Sequence, residues 1–336
     1  MPLRSREIRL AARPRGLPVA GDFELAEVEL PDPVEGQILV RNAFVSVDPY
    51  MRGRMNDVRS YVPPFAVGEP LTGGAVGQVV ASGSEAVPEG AWVVHDLGWR
   101  EAGLVDAARA RTVDASTTPL STALGVLGMP GLTAFVGIDD IGAVKEGETV
   151  FVSGAAGAVG SLAGQLARRR GARVIGSAGS SEKLAWLEEL GFHASFDYHE
   201  DRPRKALREL APDGIDVYFD NVGSETLEAA IGALNRYGRI VACGSIAGYN
   251  ATEPQPGPRN LFLVVTKRLR MQGFIVFDHF DRWGAFLGEV APLVADGTIG
   301  YRETIIDGLE RAPEAFLALF AGDNVGKMLV RVGPDS

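Results

Sequence analysis

Hydrophobic and polar positions fall into two regimes along this chain, and the sharper one begins at residue 149. Thr149 to Ser153 is a short β-branched and aromatic run, the composition of a strand buried on both faces. Gly154, Gly157 and Gly160 then recur at every third position with Ala155, Ala156 and Ala158 between them. Leu162 and Leu166, beside the small Ala163 and Gly164, predict a helix packed tightly on a sheet. Gly171 closes that helix and Arg173 to Ile175 resume a strand.

The alternation then continues. Strands are predicted at Arg173 to Gly176, Ala194 to Phe196, Ile215 to Phe219, Arg239 to Cys243 and Met271 to Val276. Helices are predicted near Glu182 to Leu190, Pro203 to Leu210, Ser224 to Leu234, Pro258 to Lys267 and Arg282 to Ala295. Parallel strands with intervening helices make a doubly wound α/β sheet.

Residues 1 to 118 have the other pattern. Phe23 to Leu30, Gln37 to Phe44, Ala75 to Ala81, Ala91 to Val94 and Ala110 to Val113 are short β-rich runs punctuated by Pro and Gly, which predicts a small β-barrel-like domain. Between them, 47–53 and 61–65 form aromatic, proline-constrained loops of the kind that carry substrate pockets. Ser121 to Gly137, broken at Met129-Pro130-Gly131, has the character of a hinge. From Tyr301 on, Ile305-Ile306, a helix at Ala312 to Phe320 and a strand at Met328 to Val332 resemble the first region in pattern. The expected organisation is therefore 1–120, 121–300, and a return to the first domain over 301–336.

Composition changes this picture little, but it excludes some partners. The net charge of −10 argues against a nucleic-acid or anionic-membrane surface. No apolar run reaches the roughly 18 residues of a membrane span, and MPLRSREIRLAARPRG lacks the apolar core of a secretion signal; a cytoplasmic protein is expected. The single cysteine, Cys243, sits in a strand-like run and reads as a buried, inert thiol.

The glycine turn points to a dinucleotide. Small residues leave its backbone open, and the start of the following helix aims free N–H groups and a positive dipole end at an anion. Gly157 and Gly160 are the first candidates for that contact; a glycine-packed turn with no ligand is the alternative. An NAD site usually carries an acid at the end of the second strand, yet none occurs from Arg168 to Ser181. The hydroxyl-rich loop that begins at Ser177 is followed by Lys183, a cation suited to a 2′-phosphate, so NADPH is expected. Alternatively, Lys183 and the arginines 168–170 are a solvated helix face.

VDPYMRGRM (47–55), GMPGLTAFVG (128–137), VSGAAGAVGSLAGQLA (152–167), GIDVYFDNVG (214–223) and GDNVGKMLV (322–330) together resemble the zinc-independent branch of the medium-chain dehydrogenase/reductase superfamily. Within it the chain is similar to the prostaglandin reductases, alkenal double-bond reductases and curcumin reductase. The resemblance implies a GroES-like β-barrel catalytic domain with a Rossmann domain. It also implies that Lys183 and Tyr198 hold the 2′-phosphate, that Gly157, Ala158 and Val159 pass under the pyrophosphate, and that Asn324, Asn221 and Cys243 approach the cofactor. Relatives are commonly homodimers through the Rossmann sheet edge; Phe262 to Val265 and Phe274 to Phe277 could supply that interface or be core.

Zinc-dependent relatives hold a metal where this chain has Ser46, Val47 and Asp48, and its four histidines have no ligand spacing, so no metal is expected. His95 and His279 read as surface or loop histidines. Without a metal, the chemistry that fits is hydride addition to the β-carbon of an α,β-unsaturated ketone or aldehyde. Tyr249 matches the tyrosine that this family places near the carbonyl; as a protonated phenol it can stabilise the enolate and relay a proton, or it only shapes the pocket. Tyr50 and Tyr61 are expected in the substrate pocket. Arg52 either meets a substrate carboxylate or, the preferred reading, braces its loop against Asp48; Asp220 is expected to cap backbone. NADPH-dependent quinone reduction is the rival activity, and a non-catalytic scaffold the rival class.

Overall fold

The computed structural model describes residues 3–334. Two compact units emerge: one runs up to Gly125 and resumes at Glu303, and the other spans Val126–Arg302. In the first, β1 (Leu3–Leu10) pairs antiparallel with β2 (Phe23–Leu30), and β3 (Gln37–Ser46), β4 (Ala75–Ser82), β5 (Trp92–His95), β6 (Ala102–Asp106) and β7 (Arg111–Thr112) follow. β3 organises these strands: β4 runs along one edge, and β6 pairs with Gln37–Arg41 on the other. Its side chains feed two apolar clusters, Ile38 and Val40 with Val79, Val93 and Val105, and, past a register shift at Asn42, Ala43 and Phe44 with Val76.

β1 and β6 were not expected. Arginines and a glutamate break the apolar alternation of Leu3–Leu10, yet Ser5 and Glu7 turn inward there. Ser5 Oγ accepts from the Ala102 N–H and donates to the Ala102 carbonyl at 2.9 and 3.0 Å, so a polar residue joins β1 to β6. The expected loop 47–53 also contains a helical turn, Met51–Arg54.

His95 corrects an expectation. It is a core residue on β5, not a surface histidine. The Leu97 N–H donates to Nδ1 (3.2 Å), which leaves Nε2 to donate to Asn42 Oδ1 at 2.8 Å. The Leu97 N–H demands a neutral ring, since it needs Nδ1 as an acceptor, and burial first, then Arg100, push its pKa down to about 3. The unfolded chain binds this proton near pH 6.5, so it holds more protons than the folded state between there and about pH 3. Stability therefore falls as pH drops, by about 2 kcal/mol from this residue between pH 6.5 and 5. Urea midpoints at those two pH values should differ less in His95→Gln; an unchanged difference would contradict the assignment.

In the second unit β8 (Thr149–Val152), β9 (Arg173–Ala178), β10 (Ala194–Asp197), β11 (Ile215–Asp220), β12 (Leu234–Ala242) and β13 (Arg270–Gly273) form an all-parallel sheet in the order β10-β9-β8-β11-β12-β13. This is the doubly wound order 3-2-1-4-5-6. Helices Ala158–Arg169, Ser181–Glu189, Pro203–Leu210, Ser224–Ala233 and Phe262–Lys267 connect the strands. The last starts later than expected because Arg259 N–H and Asn260 Nδ2 bond to Glu228 instead (2.9 and 2.8 Å). Met129-Pro130 opens the helix Met129–Val136 and does not break one, as suits proline in a first turn.

Back in the first unit, β14 (Glu303–Asp307) lies parallel to β15 (Lys327–Arg331), and β15 pairs antiparallel with the end of β3. Helix Ala312–Ala321 sinks Phe316 edge-on into Trp99, 5.8 Å between ring centroids. Among the described residues no helix is long and apolar enough to cross a membrane.

Candidate active site

In a doubly wound sheet the ligand crevice opens where the winding reverses, here between β8 and β11. After β8 the chain turns through Gly154 and enters its helix with Gly157 as N-cap. A Cβ on Gly160 would stand 2.4 Å from the Gly154 carbonyl oxygen, so only glycine lets the helix start this close to the turn. Ser161 N–H is the first to bond back, to the Gly157 carbonyl at 3.0 Å. The N–H groups of Ala158, Val159 and Gly160 precede it in the first turn, where helices leave donors open to an anion.

Ser177 lies within β9 and not in a loop as expected, since the strand runs on to Ala178; it is buried and its carbonyl accepts from the Ala155 N–H (2.9 Å). Ser177 is thereby tied to the glycine turn through its backbone, and Ser180 and Ser181 are the more exposed hydroxyls that follow. Ser180 caps the helix that carries Lys183, accepting from the Lys183 N–H at 3.3 Å. Tyr198 lies over this loop, its hydroxyl 2.7 Å from where a Cβ of Gly179 would stand, with its ring against His199 (4.3 Å between centroids). Burial and then Asp197 raise the Tyr198 pKa, keeping the phenol a donor. His199, whose Nε2 is 3.1 Å from the same point, was not anticipated; only the β10 register brings it here.

The other end of the crevice gathers Asn221, Cys243 and Tyr249. Asn221 Nδ2 donates to the Ser153 carbonyl at 2.8 Å and its N–H to Ser153 Oγ at 3.1 Å, fastening the end of β11 to the glycine turn. Cys243 sits one residue past β12 and is half-buried; burial and the Asp220 carboxylate push its thiol up to about 12, so it is inert. Tyr249 follows a short 3-10 turn, and its oxygen accepts from the Ser245 N–H at 3.3 Å. That bond leaves the phenolic proton available to donate outward, and burial, the largest cause, raises the Tyr249 pKa. Asp220 Oδ1 accepts from the Val222 and Gly223 N–H groups at 3.0 and 2.7 Å, a backbone cap.

In the other unit, Tyr50 is half-buried and hydrogen-bonded to Arg54; burial, then the Asp48 charge, raises its pKa. Tyr61 is exposed and acts electrostatically on both Tyr50 and Arg54. Arg52 is buried, donating to the Gly16 carbonyl at 2.7 Å and to Asn56 Oδ1 at 2.8 Å, so it braces its own surroundings. The expected brace, Asp48, is taken by another cation: Lys327 Nζ reaches it at 3.1 Å and also donates to the Val47 and Met328 carbonyls at 2.8 Å each. Asn324, half-buried, folds its Nδ2 back onto the Gly326 carbonyl at 2.8 Å.

Ser46, Val47 and Asp48 do not fit a zinc ion. They offer one carboxylate, already neutralised by a buried ammonium, with no thiolate or imidazole beside it. Among the described residues no three His, Cys, Asp or Glu side chains are grouped to hold a metal.

Comparison with known proteins agrees with both halves of the chain. Residues 6–113 match a family described as the N-terminal domain of oxidoreductase, and 158–291 one described as zinc-binding dehydrogenase. The chain is 47% identical to a putative NADP-dependent oxidoreductase of Bacillus subtilis (98% of each chain covered) and 43% identical to an NADPH-dependent curcumin reductase of Escherichia coli (99% of this chain, 98% of the other). Among solved structures, CurA from Vibrio vulnificus in complex with NADPH superposes with a TM-score of 0.92 at 42% identity, covering 98% of this chain and 99% of that one. The chain belongs to the medium-chain dehydrogenase/reductase family, in the branch of the curcumin, alkenal and prostaglandin reductases.

Proposed function

We propose that the protein reduces the carbon–carbon double bond of α,β-unsaturated ketones and aldehydes with NADPH and without a metal. The observation that carries this reading is Tyr249: a phenol kept protonated, its oxygen held by one backbone N–H, at the crevice end of a Rossmann sheet. Relatives named curcumin reductase and 2-alkenal reductase, at 43% and 42% identity, support it.

The residues divide the work. The N–H groups of Ala158, Val159 and Gly160 take the pyrophosphate; Lys183, Tyr198 and the Ser177–Ser181 segment take the 2′-phosphate; Asn221, Cys243 and Asn324 approach the remainder. NADPH supplies a hydride for the β-carbon of the enone. Tyr249 donates a hydrogen bond to the carbonyl oxygen, where negative charge develops as the enolate forms, and passes a proton toward the α-carbon. Tyr50 and Tyr61 are the proposed substrate-pocket residues, and Arg52 braces its own surroundings through Gly16 and Asn56.

Loss of NADPH absorbance with trans-2-alkenals, a linear aryl enone and a quinone, each repeated with NADH, tests the reading. Enones and enals should turn over with NADPH and far more weakly with NADH. Lys183→Ala should raise the KM for NADPH about 10- to 100-fold, the worth of a charge-assisted bond to phosphate, and leave NADH nearly unaffected. Turnover of the quinone alone would replace this reading with quinone reduction.

The same proposal includes a cytoplasmic homodimer. β13 is an exposed sheet edge, flanked by Phe262, Val265 and Phe277, which are 74, 67 and 42% exposed. An unpaired apolar edge of this kind suits two-fold pairing with a second copy. Sedimentation at micromolar concentration should show one dimeric species, and a monomer would reject that part.

A further inference from the structure

The Asp220 carboxylate touches none of the groups assigned to cofactor or substrate, yet it is buried at the very end of β11. Besides the Val222 and Gly223 N–H groups it accepts from the Tyr218 hydroxyl at 2.7 Å. Tyr218 in turn lies 3.0 Å from Ser153 Oγ and stacks on Phe151, so the carboxylate is anchored in the sheet itself.

What these bonds fix is a pair of peptide planes. The peptide joining Asn221 to Val222 turns its N–H to Asp220 and its carbonyl to the Ile246 N–H at 3.2 Å. The next peptide does the same, with the Gly223 N–H to Asp220 and the Val222 carbonyl to the Ala247 N–H at 3.2 Å. The Asp220 carbonyl adds the Cys243 and Gly244 N–H groups at 3.0 and 2.9 Å. Residues 243–247 are thereby clipped to the turn after β11, and this is the segment whose Ser245 N–H holds the Tyr249 oxygen. Gly223 closes the fit: its φ is +74°, and a Cβ there would stand 2.4 Å from Ser245 Oγ.

We infer that Asp220 is a positioning residue for the reaction, acting through two peptide planes to hold the Tyr249 hydroxyl in register with the substrate carbonyl; this rests on the proposed role of Tyr249. All three donors converge on one oxygen, Oδ1; an asparagine could keep that oxygen in place, but a neutral amide oxygen binds its donors about half as strongly as a carboxylate does, so the charge is what tightens the two planes. With those bonds weakened the planes rotate more freely and the clips on the tyrosine loop loosen, and a displacement of about 1 Å can cost about a hundredfold in rate.

The test is a double-variant cycle on the full-length protein with a trans-2-alkenal and NADPH. Asp220→Asn should lower kcat about 10- to 100-fold, with the enone KM and the NADPH dissociation constant shifting less than about threefold. In a Tyr249→Phe background the same change should cost less than about twofold, because there is no longer a hydroxyl to position. Tyr218→Phe, which removes one donor and keeps the stacked ring, should show a smaller loss that also disappears in that background; it decides the matter if Asp220→Asn does not fold. Losses that multiply in the double variants, or an effect confined to KM and NADPH binding, would overturn the positioning role while leaving Tyr249 its own. A wild-type kcat in Tyr249→Phe would remove the Tyr249 reading and this inference with it.

Discussion

Tyr249→Phe lowers kcat for enone reduction by about a hundredfold or more and leaves the NADPH dissociation constant within about twofold of the parent; steady-state rates and quenching of protein fluorescence by NADPH read the two quantities. The reason is that the bond it removes exists fully only when charge has moved onto the carbonyl oxygen. A ground-state carbonyl is a modest acceptor, an enolate a strong one, so the loss falls on the transition state and not on binding. Replacing the hydroxyl by hydrogen keeps the ring and its packing. The Ser245 N–H loses its acceptor, but that segment is also held by the turn after β11. Burial raises the tyrosine pKa above its ordinary 10, with Cys243 and Asp220 adding to the rise. The phenol is therefore protonated through neutral pH, and kcat should show no titration from this group between pH 6 and 9. A phenylalanine variant with the parent's kcat would reduce Tyr249 to pocket wall.

Lys327→Met costs the protein about 3–5 kcal/mol of stability, the usual result of breaking a buried ion pair from one side. Lys327 is 4% exposed and Asp48 is 6%. The ammonium spends its donors on Asp48 Oδ1 and the carbonyls of Val47 and Met328, while the Ser46 hydroxyl donates to the other carboxylate oxygen. Removing the lysine leaves a buried carboxylate with no counter-charge and takes one donor from each of two carbonyls, of which that of Met328 keeps the Val47 N–H. Asp48→Asn on the Lys327→Met background should recover much of the loss, since the unpaired charge, more than the missing contact, is what destabilises. Denaturant midpoints of the three proteins measure this, and a single variant within about 1 kcal/mol of the parent would show that water reaches the pair.

Much of this was legible along the chain because it is local. Strand Ile215–Asp220 and helix Pro203–Leu210 announce themselves through apolar runs, a first-turn proline and periodicity within about ten residues. The glycine turn is nearly as local, since Gly157 and Gly160 answer to the Gly154 carbonyl three and six positions back. The absence of an acid from Arg168 to Ser181, the reason for expecting NADPH, needs no coordinates at all.

The expectations that failed share a cause. His95 reads as a loop residue because its partner, Asn42, is 53 positions away. Asp48 was given to Arg52, four residues on, but Lys327, 279 positions away, holds it. β1 hides because its inward Ser5 is satisfied by strand β6, 97 residues later, and its inward Glu7 by Arg9. By itself the sequence determined the order of elements, the doubly wound class and the glycine turn, since propensity, period and turn chemistry are properties of neighbours; Tyr249 was singled out by the family resemblance. Only the tertiary structure decided which polar groups are buried and what satisfies them, because a buried charge or donor must find its partner wherever the fold brings one, and distance along the chain does not limit that choice.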